Sequence, residues 1–228
     1  MHPKQFIRER LRRVLRADWH REEVGGMWDE LGKLQFDLLV QQGLKPQHFL
    51  LDVGCGSLRG GVHFIRYLEP GHYFGVDESR ELLDAGRRIE LARYKLIDQY
   101  PNLVRMHDFE FSTLNQQFNF ALAQSVFTHL PLNQIIRCIV NIERVLVSGG
   151  KFLATFFENR DGKFSLQPMS HPATDVPARS ITTYFDRDPY HYSFETFTWV
   201  CEGTNLRVEH VSEWHHPRNQ KLMIFTKI

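Results

Sequence analysis

Cysteine is scarce in this chain: Cys55, Cys138 and Cys201 are the only three among 228 residues, far apart and odd in number. They cannot make a paired disulfide framework, and no Cys-x-x-Cys spacing suggests zinc, so reduced thiols in a cytoplasmic protein are expected. Apolar runs of the roughly 20 residues that a membrane span needs are also missing, and the N-terminus has no apolar signal-peptide core. Charge of one sign is lacking as well. With 28 Lys and Arg against 27 Asp and Glu, the formal net charge is +1, which builds no field for nucleic acid or a membrane surface. What remains suits one soluble α/β domain with decorations, long enough for a substantial core.

The most informative stretch runs from His48 to Gly61, His-Phe-Leu-Leu-Asp-Val-Gly-Cys-Gly-Ser-Leu-Arg-Gly-Gly. Phe49, Leu50 and Leu51 read as a short buried strand ended by Asp52, and Gly54 and Gly56 let the backbone turn tightly and approach a ligand. A helix expected immediately afterwards would present free N–H groups and a partial positive charge to whatever sits on the turn. This is a nucleotide-type cradle.

A dinucleotide fingerprint would place a third glycine at the sixth position of the turn, where this chain has Arg59. Asp52 would repel a phosphate but suits an ammonium group. A ligand with an amino-acid head and an adenosine tail therefore fits better than a pyrophosphate.

The run Leu-Leu-Asp-Val-Gly-Cys-Gly-Ser resembles the first motif of class I S-adenosylmethionine-dependent methyltransferases, and residues 48 to 157 continue to match that family. The resemblance implies a doubly wound, seven-stranded, mostly parallel sheet with an antiparallel last strand, in a three-layer sandwich, and S-adenosylmethionine as cofactor. His72 to Val76 reads as the second strand. It leads into Asp77 and Glu78 at the spacing a strand–helix–strand unit requires, where the family uses an acid to hold both ribose hydroxyls. Val104 to His107 reads as a third strand, followed by Asp108 and Phe109, where the family caps the adenine. Phe118 to Ser125 reads as the fourth strand. Asn133 to Val147 reads as a helix closed by the Ser148-Gly149-Gly150 cap, and Lys151 to Phe157 as the fifth strand. The cofactor set implied is Asp52, Gly54, Cys55, Gly56, Ser57, Arg59, Asp77, Glu78, Asp108, Phe109 and Gln124. Within it Arg59, helped by Ser57, offers a fork for a carboxylate of the cofactor or of the substrate.

Outside this core, residues 1 to 45 are expected as an N-terminal helical extension and 46 to 228 as the cofactor-binding domain. Six arginines between Arg8 and Arg21 interleave with Phe6, Ile7, Leu11, Val14, Leu15 and Trp19 at near-helical spacing. This helix would pack on its own domain or on a second subunit, a route to a homo-oligomer. Gly25-Gly26 breaks the chain before a helix from Met27 to Gln42, whose Trp28 is either core or a cover for the cofactor. Residues 158 to 192 are too long and too rich in Pro, Ser, Thr and Asp for an ordinary connection, and read as a lid-like insertion whose aromatic residues wall the substrate site. Ser193 offers a cap for a helix running to Glu202-Gly203. Two strands, Leu206 to Trp214 and Lys221 to Ile228, then close the domain around the loop 215 to 219, a second expected wall of the pocket.

An acceptor hydroxyl or amine must lose a proton during methyl transfer, and histidine suits that task near neutrality. Among 12 histidines, His129, just after the fourth strand, and His191, just before the Ser193 cap, are the candidate bases; a structural role is the alternative for each. No metal site is expected, since at His215-His216 adjacent residues point apart and Glu213 is the only nearby carboxylate. A small-molecule acceptor, taken at oxygen or nitrogen, is the favoured reading. The alternatives are a methyltransferase of nucleic acid or protein and a non-catalytic cofactor-binding protein. The Asn/Asp-Pro-Pro-aromatic motif of amino-methylating enzymes is absent, since Gln124-Ser125-Val126-Phe127 stands in its place.

Overall fold

A computed structural model of the protein describes residues 18–162, 165–173, 180–211 and 214–228. The basic segment before Asp18, Phe164 of the insertion and Glu213 lie outside the described residues. Helices α1 (Trp19–Glu23) and α2 (Trp28–Gln41) precede β1 (Leu50–Val53). Then follow α3 (Gly61–Tyr67), β2 (Tyr73–Asp77), α4 (Arg80–Ala85), α5 (Leu91–Arg93), β3 (Asn102–Arg105), β4 (Phe118–Ala123), α6 (Leu132–Val145) and β5 (Leu146–Glu158). The chain closes with β6 (Met169–Pro172), β7 (Ser180–Thr183), β8 (His191–Tyr192), α7 (Phe194–Cys201), β9 (Leu206–Val211) and β10 (Lys221–Lys227).

The main sheet has the order β3-β2-β1-β4-β5-β10-β9, with β8 paired to the end of β5. Strands β1 to β5 run parallel to one another, and β10 is antiparallel to both β5 and β9. Strand order reverses between β1 and β4, which opens a crevice at the carboxyl ends of those strands. Side chains alternate between two cores, as strand geometry demands. Leu51, Val53, Ala121, Ala123, Phe152, Ala154, Met223 and Phe225 face α6 and α7. Leu50, Phe120, Leu122, Leu153, Leu222 and Ile224 face α2, α3 and α4. The result is the three-layer sandwich expected, with helices on both faces.

Local chemistry shifted several boundaries. The first helix after the glycine turn does not start at once: a run of turns carries the chain to Gly60, and α3 begins at Gly61. The close helix–strand contact that a third glycine would allow is therefore displaced two residues past Arg59. A Cβ on Gly61 would lie 2.7 Å from the Tyr73 hydroxyl of β2. No glycine cap ends α6, since Leu146 is already extended and opens β5, and Gly149 and Gly150 lie within that strand beside a register irregularity. Ser193 occupies the N-cap of α7 without a side-chain bond to the backbone, and β9 ends at Val211, short of Trp214. The insertion is not merely irregular. Strands β6 and β7 pair as a hairpin, fastened to the end of β5 by Phe157 against His171, with ring centroids 4.8 Å apart.

Candidate functional site

The crevice at the strand-order switch is a cavity of about 720 Å³, within the range of about 300–1,000 Å³ usual for small-molecule sites. Its floor is the turn after β1. Gly54 (φ 69°) and Gly56 (φ 55°) both occupy the left-handed region that glycine tolerates. Both are also crowded: a Cβ on Gly54 would meet Val126 Cγ2 at 2.6 Å, and one on Gly56 would meet Val24 Cγ1 at 2.6 Å. The turn is sealed to β2 by Gly54 and Cys55 N–H donating to Val76 O at 2.8 and 3.1 Å. Buried Cys55 lines the floor, and burial pushes its thiol well above the usual range.

Three carboxylates of the expected set face this cavity. Asp52 is buried and accepts a 2.6 Å hydrogen bond from the Tyr73 hydroxyl. Burial outweighs that bond and raises its carboxyl to about 7. Asp77, at the end of β2, accepts from Gly56 N–H and Ser79 N–H, both at 2.8 Å. The acid expected at a ribose thus also clamps the glycine turn to the start of α4. Burial raises its carboxyl too, against those two bonds. Glu78 lines the same wall, joined by Met106, His107 and Phe109 beyond β3.

On the opposite side two arginines converge on the turn between α1 and α2. Arg59 is buried and donates through Nη1 to Val24 O at 2.7 Å and Gly26 O at 3.1 Å, while its buried Nε has no hydrogen-bond partner. Arg218, from the loop between β9 and β10, donates to Gly25 O. Desolvation, then the neighbouring Arg218 charge, lowers the Arg59 guanidinium to about 10. Two desolvated cations beside a buried, unpaired N–H favour an anion between them.

At the far end the cavity is bounded by Gln124, Ser125, Val126, His129, Leu130 and Gln134. Gln124 belongs to a polar cluster beneath it: Gln124 Nε2 lies 3.1 Å from His216 Nε2, and Gln220 Oε1 accepts from Ser125 Oγ at 3.0 Å and Thr155 Oγ1 at 2.7 Å. Burial lowers the His216 imidazole to about 3, so it stays neutral, and Arg218 N–H donates to its Nδ1 at 3.2 Å. His215 is exposed while His216 is buried. His129 is 61% exposed at the rim, its Nδ1 2.7 Å from Asp188 Oδ1.

The structure does not bring every expected residue to this site. Ser57 is buried beside it, and its hydroxyl donates to His20 O at 3.3 Å instead of to a ligand. Asp108 bends back to accept from Glu110 N–H at 3.3 Å, leaving Phe109 as that pair's contribution to the wall. His191 is buried away from the cavity, bonded through Nδ1 to Thr183 Oγ1 at 2.9 Å. Thr183 also bonds His171 Nε2 at 2.9 Å, so this pair of histidines ties the insertion to β5 and β8. No described residue of the insertion lines the cavity, and Tyr184, Phe185 and Tyr190 do not wall it. The cover comes instead from Glu23, Val24 and Gly25. Trp28 is core, donating to the Tyr94 hydroxyl at 3.1 Å with Arg21 over its ring.

Sequence reasoning missed Asp188 and the α1–α2 turn, for which no motif exists, and placed the 215–219 loop correctly without singling out Arg218. Among the described residues Asp18, His20 and Glu90 cluster within metal-ligand distance of one another. Arg21 already pairs with Glu90 at 2.7 Å, and Arg93 with Asp18 at 2.8 Å. The cluster thus reads as a salt-bridge network holding α1 to the body.

The sheet order, the switch-point cavity and the glycine turn with its strand-end acids are those of the class I, Rossmann-like methyltransferase fold. Residues 51–152 match the family model described as a methyltransferase domain, and the chain has the fold of the class I methyltransferases. Among solved structures it is similar to magnesium protoporphyrin IX methyltransferase from Synechocystis with bound S-adenosylhomocysteine, at 12% identity and TM-score 0.59, over 88% of this chain and 86% of that one. It is also similar to a glycopeptide N-methyltransferase complexed with S-adenosylhomocysteine, at 13% identity and TM-score 0.62, over 86% and 90%. A third is an S-adenosylmethionine-dependent methyltransferase from Clostridium acetobutylicum, at 10% identity and TM-score 0.65, over 90% and 94%.

Proposed function

We propose that the chain transfers a methyl group from S-adenosylmethionine to a small organic acceptor, at oxygen or nitrogen. One observation carries the reading. A single cavity joins the acids Asp77 and Glu78, the glycine turn, the Arg59 side chain and the His129 rim. That is one cationic, one apolar and one acidic surface, in the order an amino acid joined to a nucleoside would need.

The residues fit the cofactor. Asp77 keeps two of its roughly four acceptor sites after bonding Gly56 and Ser79, enough for two ribose hydroxyls. Asp52 suits an ammonium and Arg59 a carboxylate. Phe109 and Met106 offer apolar surface to a base, and Gly54 and Gly56 leave no side chain on the floor. When bound, S-adenosylmethionine supplies a methyl group on a positively charged sulfur.

The chain's own residues then position and deprotonate. Val24 and Gly25, held down by Arg59 and Arg218, cover the cavity and restrict water. His129, on the cavity rim, would accept the O–H or N–H proton that the acceptor loses when it is methylated. Holding the two reactants in line supplies much of the rate.

Titration calorimetry with S-adenosylmethionine, S-adenosylhomocysteine and NAD tests the reading, together with transfer of radiolabelled methyl to a panel of phenols and amines. Micromolar binding of the first two and none of NAD is expected. Tighter binding of NAD would overturn it.

A further inference from the structure

Three consecutive residues after β4 are each held by the return limb of the insertion. Thr128 O accepts from Tyr190 N–H at 2.7 Å, His129 Nδ1 meets Asp188 Oδ1 at 2.7 Å, and Leu130 O accepts from the Tyr192 hydroxyl at 2.6 Å. The limb is itself stiffened, since Tyr184 N–H donates to Pro189 O and His191 N–H to Tyr184 O, and Arg187 lies over the Tyr184 ring. Thr128 and Leu130 are thus fixed through their backbone, and Asp188 meets the one side chain between them that borders the cavity.

Resting on the methyltransferase reading above, we propose that Asp188 is a positioning residue for His129. By accepting a hydrogen bond from Nδ1–H it fixes the neutral tautomer whose Nε2 lone pair is left for the acceptor's proton, the arrangement by which a carboxylate orients a general base. The insertion therefore does not wall the cavity. It completes the base from outside. Its register along residues 128 to 130 sets where His129 stands, so the acceptor's proton has a destination only while the return limb is docked. The other charged groups nearby do not compete. Asp186 and Arg187 pair with each other on the same turn at 3.6 Å, and the cavity rim from 124 to 134 adds only the neutral Gln124, Ser125 and Gln134.

An exposed ion pair can be fortuitous, with Asp188 56% and His129 61% exposed, so the test must read the tautomer and not stability. Protein labelled with nitrogen-15 at histidine is observed by long-range proton–nitrogen correlation in alkaline buffer containing S-adenosylhomocysteine, with His129 assigned from its loss in His129→Asn. The Nδ1–H form should dominate in the wild type and in Asp188→Glu. In Asp188→Ala the Nε2–H form should take over, with S-adenosylhomocysteine affinity by calorimetry unchanged within about twofold. On any acceptor of the phenol and amine panel that the wild type methylates, Asp188→Ala should lose tenfold or more in kcat and Asp188→Glu should recover most of it. A predominantly Nε2–H His129 in the wild type, or the same tautomer in Asp188→Ala, would overturn the proposal even when S-adenosylhomocysteine binds. Failure of S-adenosylhomocysteine to bind would strike the functional reading instead.

Discussion

Replacing Asp77 by Asn probes the site most sharply, because the carboxylate has two duties that the substitution separates by magnitude. Its oxygens accept from Gly56 N–H and Ser79 N–H, both at 2.8 Å, and its remaining acceptor sites face the cavity. Asparagine keeps the volume but has one acceptor oxygen, so its amide NH₂ must confront one of the two backbone donors. A hydrogen bond to a charged group is worth about 1.5–3 kcal/mol. Losing one or both ribose bonds should therefore weaken S-adenosylhomocysteine binding by at least about tenfold, and by more than a hundredfold if both fail. The unsatisfied backbone N–H adds a stability cost of about 1–3 kcal/mol, or several degrees in Tm at this chain length, where each kcal/mol shifts Tm by about 2–4 °C. Both affinity and Tm should therefore fall. Calorimetry well below the lowered Tm, with circular dichroism to confirm the fold, separates the two. Glu78→Gln, which removes no such pair of backbone bonds, should leave Tm unchanged. A dissociation constant for Asp77→Asn within twofold of the wild type would refute the ribose assignment.

The remaining predictions concern other parts of the same cavity. Burial raises Asp52 from 3.8 to about 7, so the folded chain keeps a proton that the unfolded chain releases above about pH 4. That stabilisation is complete below this pH and is lost as pH rises towards 7, by about 1.4 kcal/mol per unit at most. Tm of the wild type should therefore fall relative to Asp52→Asn over that window, and parallel curves would refute it. Gly54→Ala places a Cβ 2.6 Å from Val126 Cγ2 at φ 69°. It should destabilise the fold by about 1–3 kcal/mol and impair cofactor binding, with partial recovery in Gly54→Ala/Val126→Ala; denaturant midpoints that do not move would contradict the crowding. Arg59→Met releases Val24 O and Gly26 O and removes the expected carboxylate partner. Cofactor affinity should drop at least about tenfold while trypsin cuts faster at Arg21, and unchanged proteolysis would show that the turn does not depend on Arg59. His191→Gln should leave cofactor affinity intact and lower Tm, because His191 lies in the buried Thr183 and His171 contact; a large loss of turnover without a loss of Tm would return it to the chemistry.

Much of this protein was determined locally and was therefore visible in one dimension. The glycine turn, Asp52, Asp77 and the alternating strands depend on backbone geometry and on neighbours a few residues away, and each stands within a residue or two of its expected place. A positive φ at Gly54 and Gly56 and a strand end at Asp77 are properties of short segments. What lies across the cavity was decided only by the fold. His129 and His191 look equivalent in sequence, each a histidine beside a strand end, yet β8 pairs with the end of β5 and buries one, while the loop after β4 leaves the other on the rim. Asp188 is one acid among 27 Asp and Glu in the chain, and it acquires its contact with His129 from 59 residues away. Arg59 and Arg218 are 159 positions apart and meet over the Val24–Gly26 turn only because β10 is antiparallel to β5 and returns its loop to the cofactor face. Sequence fixes which segments are strands and where the backbone must bend. The side chains that converge on a cavity from distant strand ends are chosen by sheet order, a long-range property that no local pattern encodes.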